Sequence, residues 1–253
     1  MVGGLRFEIC IDSIAGAIAA RQGGAQRVEL CSALSVGGTT PSAAMIRHSR
    51  AACDLGLHVL IRPRGGDFVF DTLEWQVMET DVELAGEWGA DGVVIGGLRA
   101  DGSIDTDRCA RLIERARPMT VTFHRAIDVC AEAESAVKDL VDLGVERVLT
   151  SGQASTAHAG RHLIRRMVDA TDGRLIVMAG AGVDEQNAAE LIRDGGVHEL
   201  HFSARRRLAP VVSPTPAGGA QMGSDASADT VREETDPDRI RAIIDAATVG
   251  RGR

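Results

Sequence analysis

The sequence predicts a (β/α)8 TIM barrel of the α/β class, formed as a single domain over residues 1–253, and three observations favour this fold. The length of 253 residues is normal for such a barrel. Eight short apolar segments alternate with eight amphipathic or Ala-rich segments, a pattern typical of a parallel sheet with helical crossovers. The segment Thr120–Asp128 passes from an alternating strand pattern to charged side chains within a few residues. This barrel class places its functional residues at such strand ends.

The predicted strands are each rich in Val, Ile, Leu or Phe, and they cover Arg6–Ile11, Arg27–Cys31, His58–Arg64, Gly92–Leu98, Thr120–Arg125, Arg147–Ser151, Arg174–Ala179 and Glu199–Ala204. The predicted helices cover Ser13–Gln22, Ser42–Asp54, Asp71–Trp88, Asp105–Ala116, Ala133–Leu143, Gly160–Ala170, Glu185–Arg193 and Asp236–Ala247. Glycines such as Gly23, Gly89 and Gly144 follow these helical patterns, where a left-handed cap is favoured. A doubly wound open sheet is the competing fold, but no G-x-G-x-x-G follows the first strand.

Composition narrows the classes of function. The formal charge of −8 argues against a nucleic-acid or anionic-membrane surface, and 3% aromatic residues with no Tyr argue against stacking on bases. No apolar run has the length of a membrane span, and the first residues lack a signal-peptide pattern, so we expect a cytoplasmic protein. Five cysteines without a C-x-x-C pair predict reduced thiols rather than a disulfide framework.

Residues 205–235 interrupt the alternation of strand and helix patterns. The segment begins with the basic run Arg205–Arg207 and continues through scattered Pro, Gly and small residues. This composition predicts a long irregular loop over the functional end of the barrel. It is compatible with a surface insertion, with a lid or with an interface arm.

The polar faces of the strands meet inside the predicted barrel. If the apolar residues face the helices, the interior receives Glu8, Cys10, Arg27, Glu29, Cys31, Arg62, Arg64, His124, Glu199, His201 and Ser203. Arg125 and Asp128 follow at the tip of the fifth strand. Buried charges must pair or face a solvated cavity. They therefore form either a structural Glu–Arg network or a functional pocket, and their position at strand ends favours the pocket.

The loops after the last three strands have the composition of anion-binding turns. Their candidate residues are Ser151 and Gly152 after the sixth strand, Gly180 and Gly182 after the seventh, and Ser203 after the eighth. Such turns present backbone N–H groups to a phosphate in many barrels. The same glycines could also serve only as tight turns.

Cys10 and Cys31 occupy equivalent positions in two copies of E-x-C on neighbouring strands. Adjacent strands lie about 5 Å apart, so both thiols should face inward side by side. Two thiolates at this spacing suit a soft ion such as Cu(I). Simple packing of two small buried side chains is the alternative.

Seven ordered segments resemble the signature of the CutC copper homeostasis protein family. They are F-E-I-C (7–10), R-V-E-L-C (27–31), G-G-T-T-P-S (37–42), I-R-P-R-G-G-D-F (61–68), F-H-R-A-I-D (123–128), L-T-S-G-Q (149–153) and M-A-G-A-G-V (178–183). The resemblance implies a cytoplasmic TIM barrel, often a homodimer, with Cys10 and Cys31 as copper ligands. H-F-S-A-R-R-R (201–207) departs from the family pattern, so the resemblance is weakest there.

Two functional hypotheses follow, and a third interpretation is an interaction scaffold. The first is a Cu(I)-binding copper homeostasis protein that uses Cys10 and Cys31. The second is a TIM-barrel enzyme acting on a small phosphorylated or carboxylated metabolite by acid/base chemistry. In that hypothesis Arg62 and Arg64 clamp the anion, and His124 or Glu29 transfers protons. The predicted pocket residues are Glu8, Glu29, Arg62, Arg64, His124, Arg125, Asp128 and His201, with the anion loops at Ser151, Gly152, Gly180, Gly182 and Ser203.

Overall fold

The computed structural model describes residues 4–208 and 232–249. The barrel strands β1 to β8 are Arg6–Ile11, Arg27–Leu30, Gly56–Leu60, Gly92–Ile95, Thr120–Phe123, Arg147–Thr150, Ile176–Gly180 and Glu199–Phe202. Two further strands, β9 and β10, are Arg205–Leu208 and Arg232–Thr235. The helices α1 to α8 are Ile14–Gly23, Ala43–Ala52, Thr72–Glu87, Thr106–Ala116, Ala133–Asp142, Arg161–Thr171, Ala188–Gly195 and Pro237–Val249. None of the helices in the described ranges is long and apolar enough to cross a membrane.

The eight barrel strands pair in parallel and in chain order, and β8 closes the sheet against β1. In this register Glu8 lies beside Arg27 on one side and beside His201 on the other. The predicted TIM barrel is confirmed. Closure of the sheet excludes the doubly wound alternative, which has two open edges.

The main apolar core lies between the barrel and its ring of helices. Ile9, Leu30 and Ile61 are fully buried in it, together with helix residues such as Met78 and Leu112. A separate small cluster of Cys31, Leu60 and Val94 lies apart from this core. The outward faces of the strands are thus apolar, which leaves the polar residues of the same strands for the barrel interior.

A buried ionic network fills the N-terminal end of the barrel interior. Arg27 binds the carboxylates of both Glu8 and Glu199, and its contact with Glu199 is 2.5 Å. Arg147 donates to the same Glu199 oxygen at 2.6 Å. The structural Glu–Arg network considered from the sequence is therefore present, and Glu8 belongs to it.

The segment after β8 is more regular at its ends than the sequence predicts. Strands β9 and β10 form an antiparallel pair in which Arg206 lies opposite Glu234, with a side-chain contact of 2.5 Å. The prediction of an irregular loop is therefore wrong for 205–208 and 232–235. Alternating Arg and Glu side chains pair across these strands and support the ladder. Residues 209–231 lie outside the described residues.

Asp71 caps α3 and offers a direct test of the local interactions that begin this helix. Its carboxylate accepts from the N–H groups of Leu73 and Glu74 at 2.8 and 2.9 Å, and Glu74 accepts from the Asp71 N–H. We expect Asp71→Ala to lower the free energy of unfolding by about 1 kcal/mol in urea denaturation. Asp107→Ala is the matched control, because this carboxylate is 87% exposed in the first turn of α4. An equal loss in both variants would contradict the capping role.

Candidate metal and ligand site

An open cavity of about 970 Å³ lies at the C-terminal ends of the barrel strands. Its volume falls in the range of pockets that hold small molecules. Its wall contains both thiols of the E-x-C pair, Glu29 and His201, and also Arg62 and His124. The cavity therefore combines a sulfur-rich region with a region of nitrogen donors.

Cys10 and Cys31 bring their sulfur atoms to 3.9 Å from each other. Cys10 projects from β1 and Cys31 follows the last residue of β2, so the period-two alternation turns both thiols inward. A Glu29 carboxylate oxygen completes a group in which the three ligand atoms lie within 4.8 Å of one another. Both cysteines are free thiols, with Cys31 buried and Cys10 partly exposed.

The two thiols differ in acidity because they share a hydrogen bond. This bond lowers the pKa of Cys10 to about 5, whereas the same bond and burial raise the pKa of Cys31 well above 9.0. Burial also raises the pKa of Glu29 to about 8. The shared hydrogen bond therefore favours a thiolate on Cys10 and a thiol on Cys31. A thiolate is the form of Cys that binds metals.

His201 connects the thiols to the ionic network below them. Its Nδ1 lies 2.8 Å from Glu8 Oε1, and its Nε2 lies 3.5 Å from Glu29 Oε2. Burial alone would lower the pKa of His201, but hydrogen bonds with Cys10 and Glu8 and the charge of Glu29 raise it well above 6.5. The imidazolium therefore stabilises negative charge on both the Glu8 carboxylate and the Cys10 sulfur.

The second region of the cavity is built around Arg62, His124 and Phe68. The Arg62 guanidinium lies 4.7 Å from the centre of the Phe68 ring, and the His124 ring lies 4.9 Å from it. The His124 ring also lies directly over Gly96, where an added Cβ would approach Nδ1 to 2.5 Å. Glycine at position 96 thus makes room for the imidazole.

Several predicted pocket residues lie outside the cavity. Arg64 does not line the cavity, and it contacts Glu74 at 2.5 Å and Asp67 at 3.1 Å. The third strand ends at Leu60, because Pro63 cannot donate to the ladder and Gly66 reverses the chain at positive φ. The structure therefore places only Arg62 of the predicted arginine clamp in the cavity wall, and an anion-binding role for Arg64 stays a prediction.

Asp128 and Glu8 are also committed to structural contacts. A 3-10 turn at Arg125–Val129 brings Asp128 back onto the start of the next loop, where it accepts from Thr150 at 2.6 Å and from the N–H of Ser151 at 3.0 Å. Arg125 reaches the cavity wall while it binds Asp128. Of the predicted pocket residues that can exchange a proton, Glu29, His124 and His201 line the cavity.

Only some residues of the predicted anion loops line the cavity. Gly182 and Ser203 line the cavity, whereas Ser151, Gly152 and Gly180 are not among its lining residues. The Ser151 hydroxyl donates to Asp128 or to the carbonyl of Ala154, and Gly180 packs against Leu149. The anion-binding role of these three residues stays a prediction.

Sequence reasoning did not single out Phe68 and Asp12, which also line the cavity. Phe68 belongs to the quoted segment I-R-P-R-G-G-D-F, where its position after two glycines was the only available signal. Asp12 follows β1 directly and contacts Arg205. Both lie beyond strand ends, where alternation no longer reports the direction of a side chain.

The fold and the cavity define a TIM-barrel protein with a paired-thiol site at the C-terminal ends of its strands. The CutC family model matches residues 5–206. The chain is 45% identical over 240 residues to a CutC family protein of Chromobacterium violaceum, a match that spans 95% of this chain and 97% of that protein. The chain therefore belongs to the CutC family, as the ordered motifs predict.

Other similar proteins carry the name of copper homeostasis. The human copper homeostasis protein cutC homolog is 45% identical over 202 residues, covering 80% of this chain and 74% of that protein. The crystal structure of the putative copper homeostasis protein CutC from Streptococcus agalactiae matches with a TM-score of 0.75 and 30% identity, covering 79% of this chain and 98% of that one. The names of these relatives associate the family with copper homeostasis. Cytoplasmic location and a homodimer stay predictions.

Proposed function

We propose that the protein binds Cu(I) through the thiolates of Cys10 and Cys31 and acts in copper homeostasis by this binding. The main observation that supports this proposal is the 3.9 Å separation of the two sulfur atoms on the wall of an open cavity. One of the thiols is already acidic, so metal binding must displace the second proton only. The site is thus prepared for a cation that prefers sulfur.

The donor set favours Cu(I) over the other common ions. Thiolate ligands select Cu(I), Zn²⁺ and iron–sulfur clusters, whereas Mg²⁺ and Ca²⁺ require oxygen. Structural zinc sites use four protein ligands, and within the described ranges this group supplies two sulfurs and one carboxylate. Leu60 and Val94 pack beside Cys31 and give that thiol apolar neighbours on one side. A low coordination number with two soft ligands matches Cu(I) best.

The test is an anaerobic titration of the reduced full-length protein with Cu(I) in competition with a chelator of known affinity. We expect one ion per chain and, in copper-edge X-ray absorption, a first shell made of two sulfur atoms. A first shell of nitrogen and oxygen atoms only, or no competition with the chelator, would contradict the proposal. Zn²⁺ titrated under the same conditions should bind more weakly, because it lacks a full set of four ligands here.

A further inference from the structure

We propose that the cavity contains a second site, for a small organic carboxylate, formed by the Nε–H of Arg62 and the Nε2–H of His124. This site is distinct from the thiol pair and does not depend on copper binding. Both side chains line the cavity and are more than nine-tenths buried, with exposures of 5% and 4%. Neither of the two nitrogen atoms has a hydrogen-bond partner among the described residues.

Arg62 carries a buried positive charge without a carboxylate beside it. Its terminal nitrogens donate to the carbonyls of Val36, Gly38 and Gly66 at 3.0, 3.0 and 2.7 Å, which fixes the plane of the guanidinium. No ion pair joins Arg62 to an acidic residue within residues 4–208 and 232–249. Buried charges are normally paired, because isolation from water is costly. A negatively charged ligand would supply the missing partner.

His124 supplies a neutral donor whose tautomer is set by the backbone. Its Nδ1 accepts from the N–H of Ala126 at 3.2 Å, so the ring proton resides on Nε2. Burial and the nearby Arg62 charge lower the pKa of His124 to about 3. The ring therefore stays neutral at physiological pH and donates a hydrogen bond. In this tautomer Nε2 is a donor, and the role of His124 as a general base stays a prediction.

The chemistry of these two donors selects the class of ligand. One positive charge and two N–H groups match the single charge and the two oxygens of a carboxylate. A phosphate group carries up to two charges and three acceptor oxygens, which this pair alone does not satisfy. Phe68 covers both donors, and Leu149 and Val183 line the same cavity, so an apolar carbon chain can follow the carboxylate. Phe68 is itself partly exposed, so rotation of its side chain would open the site.

The experiment measures binding of linear monocarboxylates from acetate to hexanoate to the reduced full-length protein, by calorimetry and saturation-transfer NMR. Butyramide is the matched uncharged probe for butyrate, and inorganic phosphate is the competing anion. We expect at least one monocarboxylate to bind, with butyramide and phosphate at least about tenfold weaker. The double variant Cys10→Ser/Cys31→Ser should bind it as the wild type does, which separates this site from the proposed copper site.

Two substitutions of His124 distinguish the donor from the structural role of the ring. His124→Asn keeps an acceptor for the Ala126 N–H but removes the donor at the Nε2 position. His124→Gln instead retains a donor near that position. We expect monocarboxylate affinity to fall at least about tenfold in His124→Asn and to be largely kept in His124→Gln. Circular dichroism confirms folding of both. Equal affinity in the wild type and His124→Asn, binding of none of the monocarboxylates, or equally tight phosphate binding would overturn the proposal.

Discussion

Replacement of either Cys10 or Cys31 by Ser is expected to lower the affinity for Cu(I) by more than about 100-fold. Loss of a residue that merely orients a metal ligand costs 10–100-fold, and loss of one of two thiolates must exceed this. The hydroxyl of Ser is a hard, protonated donor that does not replace a soft thiolate. Because the two sulfurs lie 3.9 Å apart, each single variant should lose nearly as much affinity as the double variant. Chelator competition under anaerobic conditions measures the change.

Cys53→Ser and Cys109→Ser provide the matched controls. Both thiols are buried outside the cavity, the first at the end of α2 and the second in α4. They should bind Cu(I) as the wild type does, even where stability falls slightly. If all four single variants retained wild-type affinity, the copper site would have to lie elsewhere in the chain. If all four lost affinity equally, the effect would reflect general damage rather than ligand loss.

The fold could be predicted because its signals are local and repeated. Each strand carries a short apolar alternation, and several helices end near a glycine with left-handed backbone, as at Gly24 and Gly196. The two-residue alternation of the strands also predicts that Cys10 and Cys31 both point inward from neighbouring strands. The thiol pair could therefore be predicted from spacing alone. The interior position of His201 and Glu29 followed from the same rule.

Arg64 and Asp128, two predicted pocket residues that are not among the lining residues of the cavity, lie beyond the strand ends. Arg64 lies four residues past the end of β3, between a proline and two glycines, so its direction is set by turn geometry. Asp128 folds back through a 3-10 turn to hold the next loop. Alternation cannot describe either conformation, since it applies only where the backbone stays extended. The tautomer of His124 could not be predicted from the sequence either, because it depends on which backbone N–H group donates to Nδ1 in the folded chain.

Arg27→Met is expected to lower the free energy of unfolding at pH 7 by about 3–5 kcal/mol, the usual cost of removing one partner from a buried ion pair. Arg27 is 6% exposed and binds Glu8 and Glu199, whose side chains are 0% and 6% exposed. Met fills a similar volume but leaves both carboxylates without this guanidinium. Arg147 still forms an ion pair with Glu199, and His201 still shares a hydrogen bond with Glu8, so the barrel should remain folded. Urea denaturation followed through the buried Trp75 measures the loss.

The destabilisation should depend on pH in a defined direction. Burial alone would raise the pKa of Glu8, but the Arg27 charge and the hydrogen bond with His201 hold it well below 4.5. Arg147 and Arg27 likewise lower the pKa of Glu199 against the effect of burial. A carboxylate whose pKa is lower in the folded state stabilises the fold above its unfolded pKa, and that stability is lost as the pH falls through the folded value. The difference between wild type and Arg27→Met should therefore be full at pH 7 and narrow below pH 4.5.

Arg21→Met is the control for this prediction, because it removes the same functional group from the surface. Arg21 lies 3.4 Å from Asp54, and the two side chains are 60% and 80% exposed. Exposed pairs contribute about 0–1 kcal/mol, so this variant should unfold close to the wild type at every pH. Similar losses in the two variants, or a gap for Arg27→Met that persists unchanged to low pH, would contradict a stabilising role for the ionic network. A gap that persists unchanged to low pH would also imply that Glu8 and Glu199 are neutral in the folded barrel. His201 would then lack the charged carboxylate that raises its pKa beside Cys10.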